Sequence, residues 1–206
     1  VMDLNSFQPI EASDFSGGHN SCYRDNVHMR PDETFSSVTM WATSHSPSGF
    51  IFARFTSRGL KEAVYQHSDF GSLSIDRQAQ KIYSTTGAIL NPRGEAIKTY
   101  AGASLFAVNG GDFFLEVRKN KVIVREALGE AEVNHFELPF EYSNSAWAKD
   151  KFTDDRKVFA SALLNRACFV NAKASTLHIF ELGLGTSAGQ IRATLEGVRS
   201  GTLWSR

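Results

Sequence analysis

Cysteine is almost absent: the 206 residues include only Cys22 and Cys168. The two lie far apart and form no C-x-x-C pair, so neither a disulfide framework nor a cysteine zinc site is written into the chain. Net charge is absent too, because Lys+Arg 22 balance Asp+Glu 22. Without a positive field the chain lacks the phosphate attraction that dominates nucleic-acid affinity, which argues against a specific nucleic-acid partner. No apolar run is long enough to span a bilayer, and residues 1–10 lack the basic-then-apolar pattern of a secretory signal. Together these absences lead us to expect a protein kept inside a cell, in a reducing compartment and away from membranes.

Catalytic signatures are equally scarce. His19, His28, His45, His67, His135 and His178 are scattered singly, with no H-E-x-x-H, and there is no G-x-S-x-G. Glu126 with Glu130, and Glu137 with Glu141, are close enough in sequence to raise a two-carboxylate glycoside hydrolase. Spacing on a strand fixes no distance, however, and solvated edge charges are the simpler reading. Gly183-x-Gly185-x-x-x-Gly189 precedes an expected helix, but it departs from the dinucleotide and P-loop fingerprints and lacks the P-loop lysine. The expectation is a protein that is not an enzyme and requires no metal or cofactor.

What is present is phenylalanine, 16 residues against 5 Tyr and 3 Trp. Phenylalanine has no polar tip, which favours core or protein contact over sugar contact. Residues 35–43 and 50–56, separated by Ser46-Pro47-Ser48-Gly49, read as a hairpin, and so do 112–118 and 121–125 across Lys119-Asn120. Shorter strands are expected at 72–75, 81–84, 104–108 and 133–140, while 176–180 fits strand or helix. From Asp154-Asp155 onward the texture turns helical, with one helix over 156–169 and another over 188–198. No internal repeat is visible. The expected fold is mainly β with peripheral helices, an antiparallel β-sandwich. An N-terminal arm or helix would span residues 1–34 and a single sandwich domain with C-terminal helices residues 35–206.

Three stretches carry a family resemblance. The first is Asp14-Phe15-Ser16-Gly17, and the second is Val38-Thr39-Met40-Trp41 followed by Ser48-Gly49. The third is His135-Phe136-Glu137-Leu138-Pro139-Phe140-Glu141-Tyr142-Ser143-Asn144-Ser145. In this order they resemble the polyhedrins of cypoviruses, the matrix proteins of viral occlusion bodies. The resemblance implies a self-assembling structural protein whose trimers pack into a crystalline lattice in the cytoplasm of an infected host cell. That lattice would embed and protect virus particles and dissolve in alkali as lysines, tyrosines and cysteines lose protons. It also implies a bound nucleotide of the ATP or GTP type, with no contacting residue assignable. A carbohydrate-binding sandwich using Trp41 or Trp147 stays open beside it, as does the two-carboxylate hydrolase.

Overall fold

The computed structural model describes residues 28–31, 36–42, 49–56, 59–66, 68, 70–76, 80–110, 112–142, 158–171, 173–184 and 191–196. Through most of 28–63, and in 191–196, it is the backbone that is described. Within these residues the regular elements are all strands. They form four antiparallel meanders of four strands each, in chain order. The first holds β1 (His28–Pro31), β2 (Ser36–Ala42), β3 (Gly49–Thr56) and β4 (Gly59–Gln66). The second holds β5 (Leu73–Ile75), β6 (Ile82–Ser84), β7 (Ala88–Leu90) and β8 (Ala96–Thr99). The third holds β9 (Ser104–Val108), β10 (Phe113–Arg118), β11 (Lys121–Glu126) and β12 (Glu132–Glu137). The fourth holds β13 (Val158–Ser161), β14 (Arg166–Asn171), β15 (Thr176–Glu181) and β16 (Ile191–Glu196).

Both expected hairpins are present. Ser36 pairs with Phe55 and Ala42 with Gly49, while Phe113 pairs with Glu126 and Arg118 with Lys121. Lys119 turns the second hairpin at φ +52°. The two helices expected near the C-terminus are strands. Where a helix was expected over 156–169, Val158 pairs with Phe169 and Ser161 with Arg166 across a turn at 162–165. Alanine and leucine favour helix intrinsically, but sheet pairing that buries Ala160, Ala167 and Phe169 overrides that preference. Of the segment 188–198, residues 191–196 are β16, paired with β15. Residues 1–27 of the expected arm lie outside the described residues, and His28–Pro31 are a strand paired with β2.

A two-layer sandwich is also overturned. A sandwich sheet buries one face and wets the other, yet Phe114 and Leu115, neighbours on β10, are both at 0% exposure. Phe114 joins Tyr83, Ile89, Ala103, Leu105 and Ala107 in a core against the second sheet. Leu115 belongs to a separate core with Val117, Val124, Phe136, Phe169 and Phe180, against the fourth sheet. The third sheet is therefore covered on both faces. Consecutive first strands also meet: β1 lies by β5, β5 by β9, and β9 by β13. Asn109 and Ser161, at the ends of β9 and β13, form a parallel bridge. Successive four-stranded meanders whose first strands meet one another, β9 and β13 through a parallel bridge, are blades of the β-propeller kind.

Candidate functional site: a leucine-bearing turn face

Alternate connections in a meander emerge at the same end of the sheet. Because β9 and β13 run parallel, the β9–β10 loop, the β11–β12 turn and the β13–β14 turn share one face of the blades. Three leucines stand on that face, Leu128 at 78% exposure, Leu163 at 86% and Leu164 at 70%. Leucine is ordinarily a buried residue, and exposed apolar side chains that gather on one surface are candidates for an interaction site.

The backbone beneath them is pinned. In the β13–β14 turn, Asn165 takes φ +49° and donates its N–H to the Ala162 carbonyl at 3.0 Å. Its side-chain oxygen accepts from the Leu184 N–H at 2.9 Å, and its carbonyl accepts from the Leu182 N–H at 3.0 Å. Asparagine tolerates the left-handed region, which is why it closes this turn. Leu163 then lies over the β9–β10 loop: its Cγ is 3.1 Å from where a Cβ on Gly110 would stand, and Gly110 itself has φ +80°. On the other side of the same loop, the Asp112 carbonyl accepts from Ala127 N–H at 2.7 Å, placing Leu128 next to it. The two leucine turns thus flank one loop.

A charged network underlies the β11–β12 turn and joins the second and third blades. Glu130, at φ +58°, accepts from Tyr100 Oη at 2.7 Å and from Lys98 Nζ, with Lys81 Nζ at 3.8 Å. Lys81 also donates to the Ala127 carbonyl. Burial pulls the Glu130 carboxyl upward, but the hydrogen bonds from Lys98 and Tyr100 and the nearby lysine charges outweigh it and hold it below its ordinary value. Glu116, 2% exposed, is clasped by Arg118 Nε at 2.5 Å and Arg125 Nε at 2.6 Å. Its burial also pushes upward and is outweighed, by hydrogen bonds from Arg125 and Arg118. The Arg125 guanidinium sits 5.7 Å from the centre of the Tyr100 ring, so the two clusters are continuous.

The residues singled out from sequence are not gathered here. Asp14, Phe15, Gly17 and Asn144 lie outside the described residues, as do Trp147, Gly185 and Gly189. Val38 and Trp41 are on β2 and Gly49 opens β3, in the first blade. His135, Phe136 and Glu137 are on β12 in the third. There the Phe-Glu-Leu-Pro stretch is a packing element. Phe136 stacks on Phe180 at 4.7 Å, Leu138 is buried beside it, and Tyr142 meets Phe106 edge-on at 5.7 Å. His135, Glu137, Pro139 and Glu141 face solvent, His135 pairing with Glu132 at 2.8 Å. Of the candidate carboxylate pairs, Glu130 is committed to its lysines, whereas Glu126 is exposed. Among the described residues no three metal-ligating side chains converge, and no helix is long and apolar enough to cross a membrane. Leu163 and Leu164 fell inside an expected helix; the signal that marks them as a turn is Asn165.

No protein-family model matches the chain, and no curated protein matches it. Solved structures do. The β-propeller domain of Cps50 (Swd1) from Myceliophteria thermophila is 12% identical with TM-score 0.49, covering 84% of this chain and 55% of that one. The chain therefore spans about half the length of that domain. Hsv2 from Kluyvelomyces marxianus is 11% identical with TM-score 0.43, covering 82% and 71%. Hsv2p from Kluyveromyces lactis is 10% identical with TM-score 0.41, covering 84% and 74%. The assignment of propeller-type blades rests on strand order and on the meeting of first strands. These propeller structures give no support to the trimeric, nucleotide-binding description that the cypovirus resemblance implied, and the helix-bearing sandwich it implied is not the fold of the described residues.

Proposed function

We propose that this chain is a non-catalytic protein-binding scaffold whose partner seats on the turn face of the third and fourth blades. The observation behind this reading is the trio Leu128, Leu163 and Leu164, exposed on hydrogen-bonded turns either side of one loop. A turn backbone fixed before binding loses less entropy on association than a mobile one, which helps a small apolar patch act as an anchor. Burying a leucine contributes about 1.5–3 kcal/mol, roughly a ten- to hundredfold change in Kd. The carboxylates near this face support a binding role over a catalytic one, since Glu116 and Glu130 are both held ionised by cations of the chain itself.

Proximity labelling in cells compares the full chain with Leu128→Glu and with the double variant Leu163→Glu, Leu164→Glu. Neighbours labelled by the parent and lost by both variants, at unchanged thermal unfolding, are the expected result. The same neighbours labelled by all three would refute this reading.

A further inference from the structure

The leucine-bearing face has a charge pattern of its own. Among the described residues, two basic side chains close to it, Lys81 and Arg125, are already engaged. Lys81 is bound to the Ala127 carbonyl and to Glu130, and Arg125 lies between Glu116 and the Glu130 carbonyl. Arg166 is the exception: it is exposed beside the β13–β14 turn, across the β14–β15 ladder from Glu181, and no ion pair engages it among the described residues. Two surface acids are not matched as Lys81 and Arg125 are. Asp112 and Glu126 are exposed, and among the described residues no ion pair engages either. The Glu126 carboxylate leans over the β11–β12 turn, 3.4 Å from where a Cβ on Gly129 would stand. Asp112 is tied to the same turn through its carbonyl. Glu132, at the far end of the turn, pairs with the solvent-exposed His135 and stands across the β11–β12 ladder from Arg125.

Two occupants of opposite character are conceivable for an acid-fringed apolar patch. A second copy docking by the same face would set Asp112 and Glu126 near their own equivalents, because a twofold contact is self-complementary. Like charges brought together and desolvated oppose association. A cationic partner meets the same groups with the opposite sign, and the leucines supply its anchor. Resting on the protein-binding reading above, we infer that the partner presents a basic amphipathic peptide segment. Its aliphatic side chains cover Leu128, Leu163 and Leu164, and its lysines or arginines meet Asp112 and Glu126.

Two synthetic peptides of equal length test this against the full chain by fluorescence anisotropy. Both carry leucines at every third or fourth position, one flanked by Lys and Arg and the other by Glu and Asp. The basic peptide is expected to bind at least about tenfold more tightly, with the preference shrinking as salt rises to about 0.15 M and beyond. In the double variant Asp112→Asn, Glu126→Gln most of that preference should vanish, while Leu163→Glu, Leu164→Glu should lose binding altogether. Equal binding of the two peptides, a preference that survives the neutralised acids, or binding indifferent to the leucine variant each overturns the inference. So does failure of both peptides to bind. In any of those cases the labelling comparison still decides separately whether the leucine face binds protein at all.

Discussion

Tyr83 of β6 stacks on Phe114 of β10 across the boundary between the second and third blades, ring centroids 4.8 Å apart and planes inclined by 18°. The Tyr83 hydroxyl is buried there with no hydrogen-bond partner. Burial first, then the charges of Asp76 and Glu130, push its ionisation far above that of an ordinary tyrosine. The ring stabilises the boundary, while an unsatisfied buried hydroxyl costs about 1–3 kcal/mol. Tyr83→Phe keeps the stack and removes the cost. Its unfolding free energy in urea is expected to equal the parent's or exceed it by about 1 kcal/mol. Tyr83→Ala should lose about 3–5 kcal/mol. A clear loss in Tyr83→Phe would mean that the hydroxyl is satisfied in solution.

The same boundary sets a response to acid. Glu116 and Glu130 both ionise below their ordinary value in the folded chain. A carboxyl with a lowered folded pKa adds stability that is fully present above its unfolded value of about 4.3, and that is lost as pH falls through the folded value. The contribution of these two carboxyls should therefore be constant near neutrality and fall as pH drops below about 4.3. Burial of His178, which lowers its pKa, adds a separate loss that begins as pH falls below about 6.5. Glu116→Gln leaves Arg118 and Arg125 facing an uncharged amide. At pH 7 it should cost about 2–3 kcal/mol, and its acid slope should be shallower than the parent's. A parallel slope in urea titrations across pH would show that Glu116 does not titrate on unfolding.

How much of this was legible in the sequence follows from where the burial lies. The β10–β11 hairpin was readable because Phe113–Arg118 and Lys121–Glu126 are rich in β-branched and aromatic residues on either side of a short turn. The same density of apolar residues had a second meaning. Phe114 and Leu115 are buried on opposite faces, the mark of a sheet covered on both sides, which strand pattern alone does not separate from a sandwich core. The blades are not visible as a repeat because their first strands start unevenly, at His28, Leu73, Ser104 and Val158. Ala162, Leu163 and Leu164 suggested a helix because local propensity says nothing of the pairing between β13 and β14. The candidate site inherited that error, since Leu163 and Leu164 stand side by side on an exposed surface only as a turn. The Phe-Glu-Leu-Pro stretch was conspicuous for a structural reason, the place of Phe136 between Phe169 and Phe180.

Gly87 tests the turn that links β6 to β7. It has φ +89°, and a Cβ there would lie 2.2 Å from the Tyr100 carbonyl oxygen, a backbone atom with no rotamer to move into. Its own carbonyl accepts the Tyr100 N–H at 2.8 Å, so the clash cannot be relieved without losing that bond. Gly87→Ala is expected to cost about 1–3 kcal/mol from backbone conformation alone, and more from the displacement of Tyr100. Because Tyr100 binds Glu130, the variant should also speed amide exchange in the β11–β12 turn, which hydrogen-exchange mass spectrometry would read directly. Unchanged exchange there would separate the two turns energetically.

Phe180 and Leu163 carry the sharpest contrast between packing and surface roles, because both are large apolar residues of the fourth blade. Phe180 is fully buried, stacked on Phe136 at 4.7 Å and edge-on to Phe169 at 5.7 Å. Phe180→Ala opens a void among rigid rings that cannot collapse to fill it, so about 3–5 kcal/mol of stability should be lost. Leu163 is 86% exposed and touches the chain mainly over Gly110. A charge there faces water and breaks no buried contact, so Leu163→Glu should shift the unfolding free energy by no more than about 0.5 kcal/mol. Urea unfolding of the two variants beside the parent gives both numbers. If Leu163→Glu destabilised the fold as Phe180→Ala does, the leucine would be part of the blade packing, and the turn face would lose its claim as a binding surface.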